Sequence, residues 1–280
     1  TCLRDFPHIF DELFIAMIHV GENTGNLDGA FKQLGVNIEL ERTTRQRVQQ
    51  AVRYPLMVVS ALSVAMLIIN IWVIPSFSDV FAKLGAELPL PTVILIAISN
   101  AFLSYWWLML AVVVIAAYAF AAWVATDNGR YEWDRIKLKL PIIGPLLFLV
   151  ALSRFSRNFA MMLAAGLPIT QALVLVSSAV GNSFVGKAVA EMRAGIERGD
   201  TLVSTAGSSG MFSSLVMQML AVGEETGQID DLLIEVADFY DEEVEYRLSR
   251  LSDAIEPILI FAMGLMVLVL ALGVFLPIWS

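Results

Sequence analysis

Residues 56–74 and 258–276 are each uncharged for 19 positions, and residues 93–125 are uncharged for 33. A helix of about 20 apolar residues crosses the ~30 Å hydrocarbon layer of a bilayer. Within that layer every backbone polar group must be satisfied internally, which leaves helices or closed barrels. The runs show no strand alternation, so three transmembrane helices are predicted, at 55–75, 106–125 and 257–277. The 33-residue run is too long for one perpendicular span. Asn100, Ser104 and Tyr105-Trp106-Trp107 read as an interface belt. The span is therefore placed at 106–125, with Trp123 at its far end and residues 91–105 continuing the helix outside the membrane.

Composition agrees: 58% of the residues are apolar and 16% charged, against about 45–50% and 25% in soluble domains. The net charge of −9 argues against nucleic-acid binding, which needs a basic face to neutralise phosphate. A single cysteine, Cys2, offers no internal disulfide. His8 and His19 lack metal-ligand spacing.

Orientation follows from the basic residues. Segment 1–54 holds six, segment 125–256 holds eleven, and the loop 75–104 holds only Lys83. Arg42, Arg45, Arg47 and Arg53 lead into the first span, Arg130, Arg135, Lys137 and Lys139 follow the second, and Arg247 and Arg250 precede the third. Segments 1–54 and 126–256 are accordingly predicted to be cytoplasmic, with the 76–105 loop and the C-terminus periplasmic.

An offset of 202 residues brings two segments into register. Leu13 meets Leu215, Met17 meets Met219, and Val20-Gly21-Glu22 meets Val222-Gly223-Glu224. Thr24-Gly25 meets Thr226-Gly227, Asp28 meets Asp230, and Glu41 and Arg45 meet Glu243 and Arg247. Pro55 and Pro257 open the two spans, and Pro75 and Pro277 stand at their far ends. The second copy has upstream material, residues 146–202, that would map before residue 1. With no initiating methionine, the expectation is a fragment whose first cytoplasmic domain is truncated.

The second domain reads as all helix. Leu152, Phe155, Phe159 and Met162 recur at helical spacing, and Gly166-Leu167-Pro168 closes the turn. Helices are predicted at 169–180, 184–198 and 211–222, with Gly199-Asp200 and Gly207-Ser208-Ser209-Gly210 as breaks. A last helix from Ile229 carries the apolar stripe Leu232, Leu233, Val236, Tyr240, Val244, Leu248, Leu251 and Ile255 and continues into the third span. Pro257 should kink it.

The repeated Gly-Glu-x-Thr-Gly-x-(Leu/Ile)-Asp is the strongest motif. Read as turn chemistry, Gly21 and Gly223 stop one helix, and Thr24/Thr226 or Asp28/Asp230 cap the next. Glu22 and Glu224 fit that turn equally with a contact to a partner or a cation. Residues 181–188, Gly-Asn-Ser-Phe-Val-Gly-Lys-Ala, nearly spell a phosphate loop. Ala188 stands where the magnesium-binding hydroxyl belongs and no strand precedes it, so the segment reads as a loop opening a helix. Asp230-Asp231, Glu235, Asp238 and Asp241-Glu242-Glu243-Glu245 form an acidic face, which is solvated, a docking surface for a basic partner, or a divalent-cation site at an oligomer contact. Of these, Asp238, Asp241 and Glu242 are the candidate contacts. Glu256, beside Pro257, is deep enough to seek a partner; Arg53 is one candidate, and snorkelling without a partner is the alternative. Asn70 reads as hydrogen-bonding glue between spans. No acid lies mid-span, which argues against a proton relay or an intramembrane protease.

Two copies of this motif before proline-initiated spans resemble the type II secretion system F domain. Residues 159–168, Phe-Ala-Met-Met-Leu-Ala-Ala-Gly-Leu-Pro, are similar to that family's first-helix signature. Residues 85–92, Gly-Ala-Glu-Leu-Pro-Leu-Pro-Thr, are similar to its periplasmic loop. The resemblance covers essentially the whole chain. It implies an inner-membrane platform protein of type II secretion or type IV pilus assembly, a mannose-sensitive haemagglutinin-type pilus among the possible settings. It further implies a bacterial multi-pass scaffold without catalytic activity or cofactor. The implied partners are a hexameric cytoplasmic ATPase, pilin or pseudopilin in the bilayer, other assembly components and further copies of itself. Some members bind a divalent cation on the first domain, so a metal is left unassigned. The competing class is a repeat-built transporter or channel subunit, which would need discontinuous spans and polar midplane groups.

Overall fold

The computed structural model describes residues 12–25, 27–68, 90–141 and 143–279. Among them every regular element is an α-helix. In chain order these are α1 Glu12–Thr24, α2 Leu27–Ile68, α3 Leu90–Val124, α4 Asp127–Lys139, α5 Ile143–Ala164, α6 Ile169–Ala179, α7 Ser183–Glu197, α8 Leu202–Ser209, α9 Ser214–Thr226 and α10 Ile229–Trp279. The chain divides into two units, Thr1–Arg47 with Val124–Leu248, and Val48–Trp123 with Ser249–Ser280. Helices α2 and α10 contribute residues to both.

In the first unit α5 is the central element. Its Leu152, Phe155, Phe159 and Met162, the stripe expected from spacing, are all at most 2% exposed. Around them lie Leu173 and Val176 of α6, Val185 and Val189 of α7, Val216 and Leu220 of α9, and Leu233 and Val236 of α10. Leu13 and Met17 of α1 and Leu34 of α2 join the same core. Phe155 holds Phe159 and Phe212 at ring-centroid distances of 5.5 Å each. This is non-directional apolar burial, at about 25 cal/mol per Å² removed from water.

The second unit shows the opposite pattern. Residues 107–124 of α3 form a strongly apolar stretch with none of its side chains buried. A helix apolar on all sides and unburied by its own chain belongs in a lipid-like environment. A single helix runs from Leu90 to Val124, so residues 91–105 are helical and continuous with the apolar stretch, as expected. Among the described residues one other helix, α5, is also long and apolar enough to cross a membrane, but 61% of it is buried. Its residues lie in one core cluster with those of α6, α7, α9 and α10, which makes α5 a bundle helix. Residues 69–75 of the expected first span, Asn70 included, lie outside the described residues. Helix α2 runs through Pro55, and α10 through Pro257.

Four local expectations are corrected. An extra helix, α8, occupies Leu202–Ser209, and it runs through Gly207-Ser208-Ser209 before Gly210, at φ 63°, ends it. Helix α9 begins three residues later than expected, with the Ser213 hydroxyl accepting the Val216 N–H. It also continues through Gly223 to Thr226. Gly21 and Gly223 therefore lie inside α1 and α9 and do not stop them. The left-handed stops are Gly25 at φ 71° and Gly227 at φ 74°. Gly223 instead sits at a close approach, where a Cβ would stand 3.2 Å from Ile229 Cα. Nor is Thr226 an N-cap: its hydroxyl donates back to the Val222 carbonyl at 2.8 Å.

Candidate docking site

The repeated glutamate has a defined job in the second copy. Glu224 projects from the last turns of α9 to the start of α8, where its two carboxylate oxygens accept the Leu202 N–H at 2.8 Å and the Val203 N–H at 3.1 Å. The Thr201 hydroxyl takes the Ser204 N–H at 3.1 Å. Three of the four amides that a helix start leaves unpaired are thus satisfied, and the negative charge faces the positive end of the helix. The first-copy counterpart, Glu22, is exposed on α1. Asp28 lies in the first turn of α2, and Asp230 in that of α10.

The phosphate-loop lookalike is occupied by the protein's own groups. Asn182 Oδ1 accepts the Phe184 and Val185 N–H groups at the start of α7. The buried carboxylate of Asp134 accepts the Ser183 N–H at 2.7 Å and pairs with Lys137 at 2.6 Å. Burial alone would raise the Asp134 pKa, but the hydrogen bonds from Lys137 and Ser183 outweigh it and hold the group below its ordinary value. Lys187 lies over the Tyr131 ring, 5.0 Å from its centroid. An anion approaching this helix start would meet a carboxylate.

The acidic face of α10 is not uniformly solvated. Arg157 of α5, only 16% exposed, pairs with Asp241 at 2.7 Å and Asp238 at 2.8 Å. Ser153 donates to the other Asp241 oxygen at 2.6 Å. Burial works against the Arg157 charge, yet the two carboxylates outweigh it and raise its pKa above the ordinary value. Of the three candidate docking acids, Asp238 and Asp241 are thus held by α5, while Glu242 is exposed. On the adjoining face of α5, Asn158 Oδ1 accepts from Asn37 Nδ2 at 3.1 Å, and Arg154 pairs with Glu41 at 3.3 Å. Arg47 and Glu245 meet at 2.6 Å. Sequence reasoning did not single out Ser153, Arg154, Arg157, Asn158, Asn37 or Asp134. The one available signal was two polar pairs at i, i+4 within the apolar α5 run.

Arg53 and Pro257 are exposed and Pro55 is half-buried; the Glu256 side chain lies outside the described residues. His19 is exposed on α1, and Cys2 and His8 lie outside the described residues. No group of three His, Cys, Asp or Glu side chains among the described residues is placed to hold a metal.

A helical bundle whose chain also carries a long, unburied apolar helix defines the class: an all-helical protein with membrane-spanning character. The chain belongs to the type II secretion system (T2SS) protein F family, whose model matches residues 1–75 and 155–277. It is 36% identical over 274 residues to the type IV pilus assembly protein PilC of Thermus thermophilus, covering 97% of this chain and 67% of that one. It is 33% identical over 278 residues to the PilC of Myxococcus xanthus, covering 99% and 67%. The type II secretion system protein F of Pseudomonas aeruginosa is 28% identical over 279 residues, covering 99% and 69%.

Proposed function

We propose that this protein is the inner-membrane platform of a type IV pilus or type II secretion machine. In this reading it couples a cytoplasmic hexameric ATPase to the extraction of pilin or pseudopilin from the bilayer and to filament assembly. The observation that carries it is family membership across both matched segments, together with relatives named for those two systems. The protein acts as a multi-pass scaffold, with 1–54 and 126–256 cytoplasmic and the C-terminus periplasmic, and it is not an enzyme. The repeat reading gains support from helix bounds: α1 and α9 start and end 202 residues apart, as do the starts of α2 and α10. Long helices that leave a packed bundle and continue into apolar sequence are suited to passing displacement toward the membrane.

The docking surface for the ATPase centres on Glu242 and its exposed neighbours on α10. Asp238 and Asp241 contribute charge to it while holding α5. Deleting the gene, with surface filaments, secreted protein and solute uptake measured side by side, tests the proposal. Loss of filaments or secretion with unchanged uptake is expected. Normal assembly with impaired uptake would favour a transporter.

A further inference from the structure

Helix α5 interrupts its apolar run with two interleaved polar pairs. Ser153 and Arg157 reach α10, where they bind Asp241 and Asp238. Arg154 and Asn158, each one residue further along, reach α2, where they bind Glu41 and Asn37. One residue turns a helix by about 100°, so a single stretch of about one and a half turns can hold two neighbours at once. We infer that these four residues form a register coupler, which fixes α2 and α10 to α5 at one rotational setting and makes the setting of each long helix depend on the other.

The physical reason lies in the difference between the two kinds of contact. Apolar packing is non-directional, and an apolar interface alone can turn or slide while its side chains repack. Hydrogen bonds and ion pairs have narrow distance and angle requirements. If α10 turned by one residue, Arg157 would lose both carboxylates and Ser153 its acceptor. Arg157 is largely buried, and a buried charge without its partner is strongly unfavourable. It could not stay in place, and Arg154 and Asn158 follow it on the same helix. Asp241 also lines the clefts beside Leu40 and Thr44 of α2, so the three helices meet at this carboxylate. On the α2 side the buried Asn37–Asn158 bond carries most of the constraint, because the Arg154–Glu41 pair is partly exposed and the direct Arg47–Glu245 pair more so, and exposed ion pairs add little.

This inference is independent of the platform reading, because its test reads backbone exchange and not filaments. Hydrogen exchange is followed on the whole chain in detergent for the parent, Asp241→Ala and Glu41→Ala. Asp241→Ala should speed exchange about tenfold in residues 30–47 of α2 as well as in 229–248 of α10, with α7 unchanged. Reciprocity requires Glu41→Ala to speed exchange in 229–248. A control, Arg193→Ala, breaks the separate Arg193–Glu197 pair and should leave α2 and α10 as they were. Should Asp241→Ala not fold, Asp241→Asn and the milder Glu41→Ala carry the comparison. Faster exchange confined to the mutated helix, or an equal rise in α7, overturns the coupling.

Discussion

Replacing Glu224 with alanine would strip the first two amides of α8 of their acceptor. The two hydrogen bonds are 2.8 and 3.1 Å long, and bonds to a charged group contribute about 1.5–3 kcal/mol each when nothing replaces them. Glu224 is only half-buried, so water can take over part of the role. Substitutions at N-caps cost about 0.5–2 kcal/mol, and the charge–dipole attraction adds about 0.3–1 kcal/mol. These contributions overlap, and a net loss of about 2 kcal/mol is expected. It should be local, because α8 is eight residues long and rich in Ser and Gly, so it depends on its caps. At about 1.4 kcal/mol per factor of ten, exchange at Leu202 and Val203 should rise roughly 30-fold. Ser204, which keeps Thr201 as its acceptor, should change less. Glu224→Gln retains one acceptor oxygen and should lose about half as much, roughly fivefold in exchange. The assay is residue-resolved hydrogen exchange on detergent-solubilised protein. If Glu224→Ala left exchange across 202–209 within about twofold of the parent, the capping argument would fail. The repeated glutamate would then be available for a cation or a partner.

Tyr240 is 2% exposed, its hydroxyl has no hydrogen-bond partner among the described residues, and burial pushes its pKa up to about 12. Because the folded value lies above the ordinary one of about 10, this group's stability contribution is full below about pH 10 and is lost as pH rises toward 12, by about 3 kcal/mol. Tyr240→Phe should remove that alkaline loss and be neutral or slightly stabilising at pH 7; parallel melting curves of the two proteins above pH 10 would contradict it. Gly186→Ala should lower the melting temperature, since its Cβ would run into the Ser177 carbonyl. Overpacking of about 2 kcal/mol exceeds the ~1 kcal/mol gain in helix preference, and an unchanged or raised melting point would refute the close approach.

What could be read from the sequence was what depends on local periodicity. The α5 stripe, the Gly166-Leu167-Pro168 turn and the start of α10 at Ile229 all follow from residues within a few positions of each other. Gly166 sits at φ 89° and the Leu167 N–H bonds the Met162 carbonyl at 3.0 Å. Helix α8 escaped because Leu-Val-Ser-Thr-Ala-Gly-Ser-Ser has weak helix preference and takes its support from Glu224, 22 residues downstream of Leu202. The acidic face was visible, but its division was not: Asp241 meets Arg157 across 84 positions, and nothing in one sequence pairs them. The motif glycines misled for a related reason. Gly223 and Gly227 look alike in a string, and only φ and packing separate a glycine that ends a helix from one that lets another helix approach.

The burial of α5 also bears on how the chain is made. Residues 143–164 emerge soon after the apolar helix that ends at Val124, and they pass the same test of length and apolarity. Leu233 and Val236, which help cover them, are synthesised about 70 residues later, a delay of roughly 4–14 s at translation rates of about 5–20 residues per second. During that interval Arg154, Arg157 and Asn158 are the groups that make entry into lipid costly for the nascent helix. The residues that later hold three helices in register would thus first keep one of them out of the bilayer.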